Sequence, residues 1–450
     1  MLLKSATSKR NKRKMKVIKF GGTSLGSVDK IKKVVALIQK ETKNIVVLAA
    51  FEGTTNALIE IAGCLYRKNP EEANALINRL ENKYRNLIPE LYATTEYKSL
   101  AEELLTIHFN LIRSFSKDLL TPSEEKTILA QGELLSSSLI HLLLKENQVN
   151  AALIPALDFM RTNKNAEPDP VYIKDKLHKQ LSLYPGADIY ITQGYICRNA
   201  YGEIDNLERE GSDFTASLIG AAVHAEEIQI WTDNDGMQNN DPRYVEHTSP
   251  IRCLQFEEAA ELAYFGARIL HPTCILPAKL NNIPVRLLNI LRPESPGTTI
   301  SSQMEKGKIK AIAAKDGITA IKIISGRMLL AYGFLRKVFE IFENYQTPID
   351  MVVTSEVAVS VTIDQTKHLN EILDNLKKYG MVSTDQNMTI ICIVGDLDSD
   401  NLGFESQAVH ALKDVRLRMI SYGGSNYNIS FLIHTEDKQR ALQALSNNLF

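Results

Sequence analysis

Little in this chain points to a highly charged partner. Lysine and arginine number 52 against 53 aspartates and glutamates, a formal net charge of −1. No global field therefore favours nucleic acid or a membrane surface. Cysteine is sparse: Cys64, Cys197, Cys253, Cys274 and Cys392 are scattered, odd in number and never spaced Cys-x-x-Cys. That usage fits reduced thiols in a cytoplasmic setting and argues against a disulfide or zinc framework. The nine histidines form no ligand-spaced pair, so no metal ligand is expected from the protein. No apolar run approaches the ~20 residues that span a bilayer. Residues 1–14 carry Lys4, Lys9, Arg10, Lys12, Arg13 and Lys14 without one acid. They lack the apolar segment of a secretion signal and read as a disordered basic extension, with the chain proper from Met15. The 450 residues leave room for two or three domains.

What is present begins at Val17-Ile18-Lys19-Phe20-Gly21-Gly22-Thr23-Ser24. Lys16 to Phe20 reads as a short buried strand, and Gly21-Gly22 as a turn. Thr23 or Ser24 is then placed to cap a helix whose apolar face is Val28, Ile31, Val34, Val35 and Ile38. Strand, glycines and helix start set bare backbone N–H groups where an anion can sit, and Lys19 adds a full positive charge. The stretch has neither the Gly-x-x-x-x-Gly-Lys-[Ser/Thr] nor the Gly-x-Gly-x-x-Gly spacing. On spacing alone it also fits an ordinary strand-to-helix turn.

Ile45 to Ala50 is a continuous apolar run, as in a buried parallel strand, ending in the turn Glu52-Gly53-Thr54-Thr55-Asn56. Residues 57–145 read as helical, and Glu133 there is a lone carboxylate of the kind that usually faces solvent. Val149 to Ile154 is a short strand, and Arg161 to Pro170 a polar loop suited to the rim of a site. A strand over 187–196 ends in Gly194-Tyr195. Leu207 to Asp213 leads into an apolar helix whose start offers N–H donors, and Arg209 there can grip a carboxylate through two bonds. Ile228 to Thr232 is a strand, followed by the turn through Asp233 and Gly236 to Asp241-Pro242-Arg243.

Beyond about residue 302 the pattern changes. Residues 317–385 read strand, helix, strand, strand, helix, strand, which is a ferredoxin-like order. Residues 389–446 repeat it without a sixth strand. The spare strand Lys308 to Ala313 is expected to supply it, so that the first unit is inserted into the second. The fold class expected is α/β, a mostly parallel sheet flanked by helices and followed by two ferredoxin-like modules.

Lys-Phe-Gly-Gly-Thr-Ser near the start resembles the opening of aspartate kinases, in the amino-acid kinase superfamily. Thr55-Asn56 resembles the end of the family's second substrate loop, and Gly132-Glu133-Leu134-Leu135-Ser136 its Gly-Glu-x-x-Ser. Gln193-Gly194-Tyr195 is similar to Gln-Gly-Phe, and Leu207 to Asp213 to Leu-Gly-Arg-Gly-Gly-Ser-Asp. Trp231 to Arg243 resembles the long nucleotide motif Trp-Thr-Asp-x-x-Gly-x-Tyr-x-x-Asp-Pro-Arg, and 265–272 resembles Phe-Gly-Ala-Lys-Val-Leu-His-Pro. The modules resemble paired ACT domains, and the run from Met328 to Glu356 resembles the effector pocket of the lysine-sensitive, single-activity class.

The resemblance implies a kinase domain over 15–302, an effector-binding, dimerising module over 317–385, and a second module from 303–316 with 386–450. It implies ATP with Mg²⁺ carried by the nucleotide, L-aspartate as acceptor, L-lysine as inhibitor, and a homodimer or dimer of dimers through the ACT modules. Lys19 and Asp213 would be catalytic, with Asp213 holding Lys19 toward the transferring phosphate. Thr55, Glu133, Tyr195, Arg209 and Ser212 would hold aspartate. Lys19, Gly21, Gly22, Thr232, Asp233, Gln238, Asp241, Arg243 and Arg268 would hold nucleotide. Met328, Gly333, Phe334, Leu335, Ile349, Asp350, Thr354, Ser355 and Glu356 would hold the effector. With no further domain after Phe450, a monofunctional enzyme is expected.

Ala49, Glu52, Glu208, Glu210, Gln238 and Arg268 depart from the family pattern. A carboxylate beside an anionic substrate repels it by roughly 1–4 kcal/mol, depending on solvation. A second reading, an amino-acid sensor built on an impaired kinase, rests on those departures. A third, another kinase of the superfamily, is opposed by the ACT pair.

Overall fold

The computed structural model describes residues 15–40, 43–116, 119–207, 211–266, 271–303, 305–326, 332–397 and 403–450. The chain packs as two units, Met1–Gly236 with Thr273–Ser302, and Met237–Pro272 with Gln303–Phe450. The packing boundary thus falls inside the Trp231–Arg243 motif.

In the first unit the strands Ala151–Leu153, Ile189–Gln193, Asn44–Leu48, Lys16–Phe20, Ile228–Thr232 and Val285–Asn289 lie side by side in that order, all parallel. Thr298–Ser301 adds an antiparallel neighbour to Val285–Asn289. The central strands Asn44–Leu48 and Ile189–Gln193 are buried at every position, as expected when helices cover both faces of a parallel sheet. The ends of the parallel strands from which the site is built therefore emerge together, at Phe20, Leu48, Gln193 and Thr232.

The long helical stretch resolves into Thr54–Tyr66, Pro70–Leu91, Thr95–Ser114 and Pro122–Glu146. Three of these starts are written in the sequence as caps: Asn69 accepts from Glu72 N–H, Thr94 from Tyr97 N–H, and Thr121 forms a capping box with Glu124. Pro122–Glu146 is long and apolar enough to cross a membrane on composition alone, which the reading of apolar runs overlooked. Its apolar window is 72% buried inside the protein, so it is a core helix.

In the second unit six antiparallel strands run in the order Val352–Thr354, Ala358–Ile363, Ile309–Ile324, Met381–Gly395, Asn428–His434 and Leu417–Ser421. Two of them are longer than expected. The spare strand and the strand at Ala320 are halves of Ile309–Ile324, and the strands at 381 and 389 are halves of Met381–Gly395. At Asp316-Gly317 the register breaks within the continuing strand, with Gly317 at φ +77°. The early half of Ile309–Ile324 pairs with 390–395, and the late half with 358–363 and 381–385. Each half faces its own core: Ile312, Ile391, Ile393, Phe431 and Leu442 in one, Ile321, Ile323, Phe334, Val338 and Val361 in the other.

Gly395 sits opposite Ile309, where a side chain would lie 2.4 Å from Lys308 O and 2.7 Å from Ile309 Cα. Gly395→Ala should lower stability by about 1–3 kcal/mol through overpacking. An unchanged denaturation midpoint would contradict closure of this module by the 309–315 strand.

Candidate active site

The first strand ends in Lys19 and Phe20, and the chain then enters a 3₁₀ turn, Gly22–Leu25, before the helix Val28–Lys40. Neither Thr23 nor Ser24 caps that helix. Ser27 does, its Oγ accepting from Lys30 N–H at 3.3 Å. The hydroxyl of Ser24 instead donates to Trp231 O at 3.1 Å and ties the turn to the neighbouring strand. The extra 3₁₀ turn moves the helix start along the chain, which spacing alone does not reveal. Lys19 is buried, and its Nζ lies 2.5 Å from Oδ1 of Asp213, also buried. A side chain at Gly21 would stand 3.3 Å from that ammonium, and one at Gly22 would stand 3.1 Å from Ala50 O. Bare backbone is what keeps the ammonium approachable here.

Asp213 belongs to the first turn of the helix Gly211–Val223. That helix start is pressed on the Gly194-Tyr195 turn: a Cβ at Gly194 would be 2.5 Å from Ser212 Cβ, and one at Gly211 would be 2.6 Å from Tyr195 Cδ2. Tyr195 takes a left-handed φ of +66°. It is held there by its N–H on Thr215 Oγ1 at 3.0 Å and by its hydroxyl, which accepts from Asn206 Nδ2 at 2.6 Å.

The helix Pro122–Glu146 brings Glu133 and Ser136 to one face, three residues apart. Ser136 Oγ donates to Ala49 O at 2.7 Å, and Ala50 N–H donates to Glu133 Oε1 at 3.2 Å. Glu133 is therefore not a solvated surface carboxylate but a buried clamp on the loop after the strand Asn44–Leu48. Its Oε2 is buried with no hydrogen-bond partner among the described residues. Burial pushes its carboxyl up to about 8, against the pull of the Ala50 N–H bond.

Gly22, Thr23, Glu52, Thr55, Asn56, Glu133, Tyr195 and Ser212 line one cavity of ≈ 440 Å³. Thr55 is in the first turn of its helix, whose N-cap is Gly53, not a side chain. The Glu52 carboxylate lies against the Cα of Gly26, at the rim. Lys83, which the sequence did not single out, donates to Glu52 O at 2.5 Å. Only its distance in the chain hides it. Asp233 lies 3.9 Å from Lys30, and Thr232 Oγ1 accepts from Asn234 N–H at 3.1 Å.

The remaining nucleotide candidates belong to the second unit. Gln238 bridges to Pro250, and Asp241 holds Arg243 at 2.6 Å. Arg209 and Arg268, with Glu208, Glu210 and Met328, lie outside the described residues. Of the effector candidates, Gly333 at φ +83° opens the helix Phe334–Asn344, Phe334 is core with Ile349 packed against it, and Leu335 is exposed. Thr354 ends a short strand, Ser355 N–H donates to Ala358 O, and Glu356 is exposed. Asp350 does not face an open site with a free charge. Lys315 Nζ approaches its Oδ1 at 2.7 Å and Tyr264 hydroxyl donates to it at 2.8 Å, while Oδ2 is buried without a donor. Sequence separation conceals this internal cation.

The amino acid kinase family pattern matches residues 14–289, and an ACT domain pattern matches 391–449. The lysine-sensitive aspartokinase 3 of Escherichia coli is 31% identical over 447 residues, covering 96% of this chain and 99% of its own. The chain belongs to the aspartokinases. Aspartokinase 1 of Arabidopsis thaliana, a chloroplastic protein, is 32% identical over 464 residues, covering 96% of this chain and 80% of its own. Among solved structures, E. coli aspartokinase III with aspartate and ADP superposes with a TM-score of 0.85 at 31% identity, over 97% of this chain and 100% of that one. The same enzyme with lysine and aspartate gives 0.78 at 31% identity, over 97% and 99%. An aspartokinase is a phosphotransferase acting on aspartate, so the buried cation, bare glycines and cavity described above belong to an enzyme.

Because the Glu133 carboxyl binds its proton more tightly folded, at about 8, than its ordinary 4.5, its contribution to stability is full below about 4.5 and is lost as pH rises toward 8. Ligand-free protein should therefore lose more stability between pH 5 and pH 8 than Glu133→Gln does. Parallel denaturation curves for the two would contradict a buried, protonated Glu133.

Proposed function

We propose that this aspartokinase transfers the γ-phosphoryl group of ATP to the β-carboxylate of L-aspartate, giving 4-phospho-L-aspartate and ADP, the first step toward lysine, threonine and methionine. The observation that carries the reading is a buried carboxylate oxygen left without a donor, alongside a buried ion pair at the bare glycines. Lys19 Nζ, paired with Asp213, stands beside bare glycines, and Glu133 Oε2, a buried carboxylate oxygen, has no donor among the described residues. Aspartate brings an ammonium for Glu133, and the nucleotide brings phosphate for Lys19.

The β-carboxylate is already a nucleophile and needs no general base. Rate then comes from positioning and from neutralising charge on the transferring group. Asp213 holds Lys19 in place. Thr55, Ser212 and Tyr195 shape the aspartate pocket, and Arg209 is assigned to its carboxylate. Gly21 and Gly22 offer backbone to the phosphates, while Thr232, Asp233, Gln238, Asp241, Arg243 and Arg268 are assigned to the nucleotide. Mg²⁺ arrives on ATP and screens the charge of its phosphates. The domains assigned are the kinase domain 15–302, an effector module 317–385, and a second module from 303–316 with 386–450.

Feedback by lysine is the finer part of the proposal. It is supported by the kinship to a lysine-sensitive relative. The effector would bind at 328–356 between first modules of a homodimer, or of a dimer of dimers, and favour an inactive state by its differential affinity.

The test is ADP release from ATP–Mg²⁺ with L-aspartate, with and without L-lysine. Turnover should depend on aspartate, fall with lysine, and drop by about 10²-fold or more in Lys19→Ala. Turnover surviving in Lys19→Ala would overturn the phosphate site. Absent turnover with a lysine-dependent rise in Tm would instead make the protein a sensor.

A further inference from the structure

The loop that carries Asp241-Pro242-Arg243 is built by the C-terminal part of the chain. Tyr244 and Val245 N–H groups both donate to Asp241 O, at 3.0 and 3.1 Å, so the turn is closed on Asp241 itself. Val245 is buried in the core that also holds Ile312, Leu442 and Leu445. Ile312 N–H donates to Asn239 O at 2.8 Å. Asn240 is buried, and its Nδ2 donates to Leu442 O at 3.4 Å.

Lys438, the first residue of the helix Lys438–Leu449, completes the clamp. Its side chain is only 7% exposed, which a lone ammonium would not tolerate. It is matched twice: Nζ lies 2.7 Å from Asp316 Oδ2 and 4.1 Å above the ring of Tyr244. Asp316 is fixed in turn by Thr389 Oγ1 at 2.8 Å. The register break at 316–317 thus presents a carboxylate to Lys438, and Lys438 presents a cation to the ring two residues beyond Pro242. Arg243, by contrast, keeps a 65% exposed side chain on this anchored turn.

We propose that the C-terminal helix holds the Asp241-Pro242-Arg243 arm in place for nucleotide, with Lys438 as its positioning residue. The inference rests on the nucleotide reading of 241–243 given above. Lys438 touches neither substrate nor nucleotide in this account. It acts through Tyr244.

The experiment is steady-state kinetics on the full chain. Lys438→Met keeps the length of the side chain and removes the charge. It should raise KM for ATP by roughly 10-fold, as a small misplacement of a binding group does, with kcat and KM for aspartate little changed. Lys438→Arg should restore KM, since a guanidinium keeps both the carboxylate and the ring contact. If Lys438→Met does not fold, Tyr244→Leu removes the same contact from the loop side and should raise KM for ATP alike. A lowered Tm with KM for ATP unchanged would overturn the proposal and leave Lys438 merely structural. Arg243→Ala separates the two layers. If it leaves KM for ATP unchanged, the nucleotide reading of the arm falls and this inference with it. If it raises KM while Lys438→Met and Tyr244→Leu do not, only the inference falls.

Discussion

The ion pair between Lys19 and Asp213 is the constraint around which the first unit is arranged. Both groups are buried, and an unmatched charge in such surroundings is strongly unfavourable. Lys19 comes from the end of the first strand, and Asp213 from the first turn of a helix 194 positions later in the chain (213 − 19). Bringing them together requires the strand to stop, the helix to start and the intervening turns to clear the space. The glycines at 21, 194 and 211 are where that clearance is made, since a side chain at any of them would crowd Lys19, Ser212 or Tyr195.

Charge balance differs between the two buried groups Lys19 and Glu133. Lys19 has its counterion within the protein. Glu133 accepts one backbone N–H, and its second oxygen has no donor among the described residues. Under the proposed function, the ammonium of aspartate relieves the cost of that protonated or unmatched carboxylate. The same logic applies to the second unit with the opposite result. Asp350 already has Lys315 and Tyr264 on one oxygen, and its other oxygen has no donor among the described residues.

The parts of this arrangement legible in the sequence were the local ones. The strand, two glycines and lysine are contiguous, and the parallel core strands announce themselves as short apolar runs. The insertion of one ferredoxin-like module in the other was legible too, because a strand was left over before the first module and missing after the second. What spacing hid was long-range or depended on one residue of register. Ser27 rather than Thr23 or Ser24 caps the first long helix, because a 3₁₀ turn intervenes. Asp316-Gly317 carries turn residues yet sits in a continuous ladder. Glu133 resembles any helical carboxylate until the Ala50 turn is folded onto it. Lys315, Lys83 and Lys438 gain their meaning only from partners distant in the chain. The roles proposed for Glu133 and Asp213 come from family resemblance, not from their own surroundings.

The proposal that Glu133 receives the ammonium of aspartate is tested most directly by calorimetric titration of L-aspartate at pH 7, in buffers of different ionisation enthalpy. With its carboxyl at about 8, Glu133 should enter the titration protonated and leave it as a carboxylate facing the substrate ammonium. The account predicts release of close to one proton per aspartate bound, lost in Glu133→Gln. Binding heats independent of buffer, or equal proton release in the variant, would contradict it.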